Sequence, residues 1–293
     1  MKGLIIINAY PAGEKFYHQA NRIAEELRLL NVEVDILRNG EVYALIDEQG
    51  NLQTSISEKY NFAVYLDKDK YLGAILEKTG LKLFNSPKAV EICDDKMLTY
   101  LALQGKGIRL AKSIPSPLCY TKNAKVDENF LALVAKELSF PLVIKKSFGS
   151  FGAGVQLVHG MPELRKIGQE FLHEPHFFQE YIQESDGRDI RVMVIGGKMI
   201  AAMERVAQEG EFRSNVELGG TGKTIEIPPI YAETAEWAAT ALGLEYCGVD
   251  LLETKEGPVL CEVNSNAFFE GIEKTTGYNI AAAYAKRIVE CIK

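Results

Sequence analysis

Asp250, Glu262 and Asn264 sit in two strand-like runs, Gly248-Val249-Asp250-Leu251-Leu252-Glu253 and Pro258-Val259-Leu260-Cys261-Glu262-Val263-Asn264, joined by a short polar turn. Side chains along a strand alternate faces, so Glu262 and Asn264 share one face and Cys261 and Val263 the other. Asp250 lies as far before Glu256 as Glu262 lies after it. A turn centred on Glu256 would therefore set the two carboxylates opposite each other. Like charges across a ladder destabilise it unless something neutralises them. A divalent cation would do so, and two carboxylates with an amide oxygen form the hard oxygen set that Mg²⁺ prefers, with phosphates completing its shell. The same three residues would also serve as the solvated face of an ordinary hairpin.

A second candidate is the glycine-rich stretch Lys145-Lys146-Ser147-Phe148-Gly149-Ser150-Phe151-Gly152-Ala153-Gly154 between two apolar runs. Its glycines would let backbone N–H groups cradle a phosphate, with Lys145 supplying a point charge, although a flexible hairpin loop has the same composition. The spacing of a P-loop is absent. Phe178-Gln179-Glu180-Tyr181-Ile182 reads as a buried strand passing from one lobe to the next, where backbone groups could meet an adenine edge. Asp189, Arg191, Glu204, Arg205 and the string Phe212-Arg213-Ser214-Asn215 follow, and held arginines suit a phosphate or an oxyanion. His173-Glu174-Pro175-His176 is a poor zinc site, because proline breaks the helical face and no further ligand is near. Neither a Gly-x-Ser-x-Gly elbow nor a kinase-type His-Arg-Asp segment occurs.

These residues must be carried by several lobes, since 293 residues exceed one compact core. Strand-like and helix-like runs alternate from Leu4 to Phe84, which predicts a small open parallel sheet with covering helices. The turn Tyr10-Pro11-Ala12-Gly13 lacks the spaced glycines of a dinucleotide loop. Ser86-Pro87 starts a helix expected to run to about Gln104. A second lobe is expected from Ser113, and a hairpin-rich third contains Asp189–Ile195 and Lys198–Arg205 around Gly196-Gly197. The net charge of −7 argues against a nucleic-acid partner. No apolar run reaches the ~20 residues of a membrane span. Five cysteines without a Cys-x-x-Cys pair suggest reduced thiols and a cytoplasmic protein.

Taken in order, the pieces resemble the ATP-grasp superfamily, in its RimK-like branch of glutamate ligases. The resemblance runs from Asp95-Lys96 onward and is carried by "QEYIQESDGRDIRVMVIGGKMIAAMER", "EGEFRSNVELGG", "GVDLLE", "EVN" and "EGIEKTTG". It implies an ATP-grasp fold of α/β lobes: an N-terminal pre-ATP-grasp domain over 1–88, a linking helix over 89–112, a central lid subdomain over 113–178, and a C-terminal subdomain with the metal site over 179–293. It implies ATP between the second and third lobes, with Lys96 and Lys145 on the phosphates and Gly149, Ser150, Gly152 and Gly154 in a closing lid. Glu180, Tyr181 and Ile182 match the adenine hinge, Asp189 the residue near the ribose, and Arg213, Ser214 and Asn215 the nucleotide-contacting triplet. Asp250, Glu262 and Asn264 match the ligands of two Mg²⁺ ions, with Mn²⁺ a possible substitute. Arg205 and Arg213 match the catalytic arginines.

The reaction so implied phosphorylates a carboxylate and lets an amine attack the acyl phosphate, joining glutamate or another amino acid to a peptide, protein or metabolite. A dipeptide or cofactor ligase and a non-catalytic nucleotide-binding regulator are the alternatives. A dimer or tetramer is a possible assembly. The chain departs from the family where Ser265-Asn266-Ala267-Phe268-Phe269 replaces Ala-Ser-Pro-Gly, where Phe151 stands for Gln, and where Val206 stands for a second Arg. These departures bear on the substrates rather than on the use of ATP.

Overall fold

The structure is a computed structural model that describes residues 1–11, 13–56, 58–150, 152–214 and 219–293. Ala12 of the first turn, Phe151 of the lid and Asn215 of the nucleotide triplet lie outside the described residues. The N-terminal region runs through β1 (Lys2–Ile7), α1 (Glu14–Leu29), β2 (Glu33–Arg38), the hairpin β3 (Ala44–Ile46) and β4 (Leu52–Thr54), β5 (Phe62–Leu66), α2 (Lys70–Lys78) and β6 (Lys82–Phe84). Four of these strands form a parallel sheet in the order β2-β1-β5-β6. β1 is internal and covered on both faces, which is why it is continuously apolar rather than alternating. Ile5 and Ile7 face Ala20, Ile23, Ala24 and Leu27 of α1, whereas Leu4 and Ile6 pack with Leu72 and Leu76 of α2.

Two short helices follow, α3 (Pro87–Asp94) and α4 (Lys96–Leu103). The sequence suggested one helix here. Asp95 divides it, because its carboxylate accepts from the N–H groups of Met97 and Leu98 and so caps a new helix. The central region contains β7 (Ser113–Pro115), α5 (Glu128–Leu138), β8 (Leu142–Lys146), β9 (Val155–Val158), α6 (Met161–Phe171) and β10 (His176–Glu180). Its sheet has the order β7-β10-β8-β9 and packs on α5 and α6 through Leu131, Val134, Ile144, Leu164 and Phe178. β10 carries this sheet on to Glu180, two residues past the boundary expected at 178.

The C-terminal region comprises β11 (Arg188–Ile195), β12 (Lys198–Val206), β13 (Thr221–Thr224), α7 (Pro229–Leu242), β14 (Tyr246–Thr254), β15 (Gly257–Asn264), α8 (Glu270–Thr276) and α9 (Ile280–Ile292). Its antiparallel sheet runs β13-β12-β11-β14-β15. One face buries Val192, Val194, Val249 and Leu251 against Ala235, Ala238 and Ala239 of α7. The other joins the N-terminal region: Met193, Tyr246, Phe269 and Tyr284 share one core with Ile5, Phe62 and Phe84. First and last regions are thus one packed body.

Asn85 pins that junction. It is 1% exposed, and its amide donates to the carbonyls of Tyr246 (2.7 Å) and Ser265 (2.8 Å) and accepts from the N–H groups of Glu245 (2.8 Å) and Tyr246 (3.0 Å). Asn85→Ala leaves these buried backbone groups unpaired and should cost about 3 kcal/mol. A thermal midpoint indistinguishable from wild type would refute this account of the junction.

Candidate active site

β14 and β15 pair so that Thr254 faces Gly257 across the two-residue turn Lys255-Glu256. The turn is therefore centred half a residue before Glu256, and an unbroken ladder from it would set Asp250 against Cys261. A bulge between Asp250 and Leu251 in the register takes up one residue of β15, and beyond it Asp250 faces Glu262 and Gly248 faces Asn264. The carboxylates oppose each other as the spacing suggested, but only because of this irregularity. The bulge also corrects the expected faces. Val263 is buried in the core under α7, while Cys261 turns into the cleft beside Glu262, its Sγ 3.7 Å from Nζ of Lys145. Burial pushes the Cys261 thiol pKa up, and the Lys145 ammonium offsets only part of that.

The charge the hairpin concentrates is met by fixed cations. Arg191 lies directly opposite Asp250 across β11 and β14, and Asp189 directly opposite Arg205 across β11 and β12. Arg191 binds the Asp250 carboxylate through Nε and through Nη2, at 2.8 Å for the latter. Arg205 donates from Nε to Asp189 Oδ1 (2.7 Å) and lies 2.9 Å from Asp250 Oδ2 through Nη2. Burial works against the charge on Arg205, yet Asp189 and Asp250 outweigh it and hold its pKa well above the arginine value. For Asp250, burial raises the pKa and the two guanidiniums more than reverse it, so the carboxyl ends below its usual range. Glu262 is less enclosed and pairs with Lys96 Nζ at 3.3 Å. Asn264 donates weakly to Asp250 Oδ2 at 3.4 Å.

Among the described residues no cluster of three or more His, Cys, Asp or Glu side chains is arranged to hold a metal. The donor set is instead two carboxylates and one amide at matched positions on neighbouring strands. Its hard oxygens suit Mg²⁺, and the Glu262 carboxylate, paired with Lys96, is more exposed than that of Asp250.

A narrow cleft between the central and C-terminal sheets gathers most of the residues singled out from the sequence. Lys96, Lys145, Gly149, Ser150 and Gly152 line its lid side, and Glu180, Tyr181 and Ile182 its hinge. Asp189, Arg205, Arg213, Ser214, Asp250 and Glu262 line the rest. Gly154 shapes the lid rather than lining the cleft. It has φ +75° and its carbonyl accepts from the Lys146 N–H, and a Cβ there would meet the Lys146 side chain at 2.8 Å. Lys96 Nζ donates to the carbonyl of Gly149 (2.9 Å) and Arg213 Nη1 to that of Gly152 (2.9 Å), so both cations hold the lid. Arg213 also binds Glu211 and draws that carboxyl pKa down to about 2. Glu180 accepts the Lys112 N–H on its carboxylate (2.7 Å) and donates its own backbone N–H to the Lys112 carbonyl (2.9 Å), which fixes the start of the hinge.

Asn264 lines a second, wider cavity of about 600 Å³; its wall at residues 265–269 is the stretch whose departure from the family pattern bears on the substrates, whereas its N-terminal wall was not anticipated from the sequence. This cavity lies between the N-terminal sheet and the loop after β15. Asn8, Asp67 and Lys68 line it from one side, and Ser265, Asn266 and Phe268 from the other. Phe16 and Phe268 meet edge to face across it, with ring centroids 5.1 Å apart. Lys68 Nζ binds Asp94 (2.6 Å) and Ser150 of the lid (3.3 Å). A signal was present in the sequence: Asn8 and Asp67 directly follow two strands of a parallel sheet, where open α/β folds bind ligands.

The model of the RimK-like ATP-grasp domain family matches residues 93–289. The chain is 33% identical over 233 residues to beta-citrylglutamate synthase B of Danio rerio, an alignment covering 78% of this chain and 56% of that protein. It is 38% identical over 214 residues to a probable alpha-L-glutamate ligase of Marinomonas sp. (strain MWYL1), covering 72% and 68%. The chain thus spans little more than half to two thirds of these relatives' lengths. Among solved structures, the ATP-grasp ligase PsnB complexed with a minimal precursor superposes with TM-score 0.72 at 20% identity, covering 98% of each chain. D-alanine–D-alanine ligase of Bacillus anthracis complexed with ATP gives 0.73 at 19% identity, covering 100% and 97%. The fold is the ATP-grasp fold.

Arg205→Met removes the cation shared by two buried carboxylates and should destabilise the chain by about 3 kcal/mol, and Asp189→Asn in the same chain should recover part of the loss. Urea denaturation of the single and double variants tests this. Additive losses would mean that the two side chains do not act as a pair.

Proposed function

Because the chain belongs to the RimK-like ATP-grasp family, we propose that it is an ATP-dependent ligase that activates a carboxylate as an acyl phosphate and joins it to an amine. The observation that carries this reading is the meeting of two spaces. Gly149, Ser150 and Glu262 line both the narrow cleft and the 600 Å³ cavity, so a phosphoryl group can pass from one to the other there. In this reading the nucleotide lies in the cleft, with its base at Glu180, Tyr181 and Ile182, its ribose near Asp189, and its phosphates under the lid against Lys96, Lys145, Arg213 and Ser214. The acid and the amine occupy the wider cavity.

The chemistry then follows from the fixed charges. A carboxylate oxygen of the acid attacks the terminal phosphorus as ADP leaves. The amine nitrogen next attacks the acyl carbon, phosphate departs with the C–O bonding pair, and the amine gives up a proton. Arg205, held against Asp189 and Asp250, would stabilise the negative charge that develops in this step from a fixed position. Asp250, Glu262 and Asn264 would hold Mg²⁺, which when bound offsets phosphate charge. Lys96 is the exchangeable member, because its ammonium pairs with Glu262 in the structure and would transfer to phosphate. Both relatives named above carry glutamate in their names. L-Glutamate or another amino acid is therefore the proposed amine, and a peptide, protein or small-molecule carboxylate the acid. The free thiols of Cys93, Cys119, Cys247, Cys261 and Cys291 suit a reducing cytoplasm that supplies MgATP.

ADP release from MgATP with L-glutamate and a panel of acids, including citrate and short peptides, should identify a productive pair. With that pair, Glu262→Gln and Lys145→Ala should each lower turnover by about a hundredfold or more, and EDTA should abolish it. Full turnover by both folded variants would overturn the assignment of the cleft.

A further inference from the structure

The three polar side chains that close the carboxyl ends of the N-terminal parallel strands meet at one point. Asn8 follows β1, Asn39 follows β2 and Asp67 follows β5. Asp67 Oδ2 accepts from Asn39 Nδ2 at 2.6 Å, and its Oδ1 accepts from Asn8 Nδ2 at 3.2 Å and from the Lys68 N–H at 2.7 Å. Asp67 is 6% exposed and lines the 600 Å³ cavity. Every one of these donors is neutral. Among the described residues no cationic side chain pairs with Asp67, since the adjacent Lys68 turns its ammonium to Asp94 and Ser150. This contrasts with the rest of the reaction centre, where Asp189, Asp250 and Glu262 each have a guanidinium or ammonium partner.

A buried carboxylate that is hydrogen-bonded but not charge-paired is expensive to keep ionised. Burial accordingly pushes the Asp67 pKa up, and the donors from Asn8 and Lys68 only partly restore it. The topology supplies a second, independent pointer. In the order β2-β1-β5-β6 the chain leaves β1 towards β2 on one side and returns to β5 on the other, so the crevice between the ends of β1 and β5 is the switch point at which open parallel sheets bind ligands. Asn8 and Asp67 flank it. Asn266 of the loop after β15 donates to the Asp67 carbonyl at 3.2 Å, joining this crevice to the strand that carries Glu262 and Asn264.

We infer that Asp67, oriented by Asn8 and Asn39, is the subsite that binds the ammonium group of the amine co-substrate, an amino acid. The cation missing from the protein is then supplied by the ligand, and the N-terminal region, most of which lies before the matched residues 93–289, selects the amine. A purely structural clasp between three strand ends is the competing account. It predicts no preference for a charged nitrogen.

The inference rests on the ligase reading, and the test separates the two. Protein saturated with MgAMPPNP is titrated calorimetrically with the proteinogenic amino acids, L-glutamate first, and with the deaminated counterpart of each, glutarate for glutamate. Wild type should bind at least one amino acid about tenfold or more tighter than its deaminated counterpart. Asp67→Asn should erase that preference by weakening the amino acid alone, with affinity for MgAMPPNP unchanged. Asp67→Ser, which keeps an acceptor for the amides without the charge, replaces it if the asparagine variant does not fold. Equal weakening of both compounds, or a variant that keeps the preference, overturns the subsite. So does a wild type that binds MgAMPPNP but no amino acid, while the nucleotide reading survives. Failure to bind MgAMPPNP removes both.

Discussion

The interaction on which the site depends is the buried alternation of charge across β12, β11 and β14: Arg205 to Asp189, Arg205 to Asp250, and Arg191 to Asp250. None of the four side chains has more than about a tenth of its surface exposed. Each carboxylate would be untenable there alone, because desolvation of an unpaired ion costs more than local hydrogen bonds return. Together they form a rigid electrostatic floor beneath the cleft, built on strands rather than loops. Such a floor is suited to charge that appears and disappears during phosphoryl transfer, since its dipoles are already oriented.

Other features follow from that floor. The bulge in β15 matters because it brings Glu262, not Cys261, opposite Asp250, and it leaves Glu262 at the rim where cleft and cavity join. The lid is fastened from several sides by long cations, Lys96 on Gly149, Arg213 on Gly152 and Lys68 on Ser150. These contacts are partly exposed and individually weak. The floor is buried and fully paired, whereas the loop above it is held by few contacts.

The N-terminal region is more than a support. Its sheet shares a core with β12, β14 and α9, and Asn85 hydrogen-bonds to the segment that carries Ser265, one residue beyond Asn264. The wall that bears Asn8, Asp67 and Lys68 is thereby held at a constant position relative to the hairpin carboxylates. The walls of the cavity thus come from different parts of the chain but belong to one packed body.

Much of this was legible from residues alone. The β14–β15 hairpin, the glycine loop between β8 and β9 and the alternation of strands and helices up to Phe84 follow from local periodicity, turn residues and spacing, which act over a few residues and leave their mark in the sequence. The RimK-like motifs from Asp95 onward were readable because they are contiguous strings. What sequence could not show was longer in range. The partners that neutralise Asp250 come from β11 and β12, the wide cavity is walled by residues about two hundred positions apart, and the break at Asp95 and the bulge at Cys261 each turn on one residue competing with a regular pattern. Local propensity and spacing determined the elements and the candidate chemistry; tertiary structure alone decided which charges meet, because electrostatic pairing and burial depend on distances through space that a linear pattern does not record.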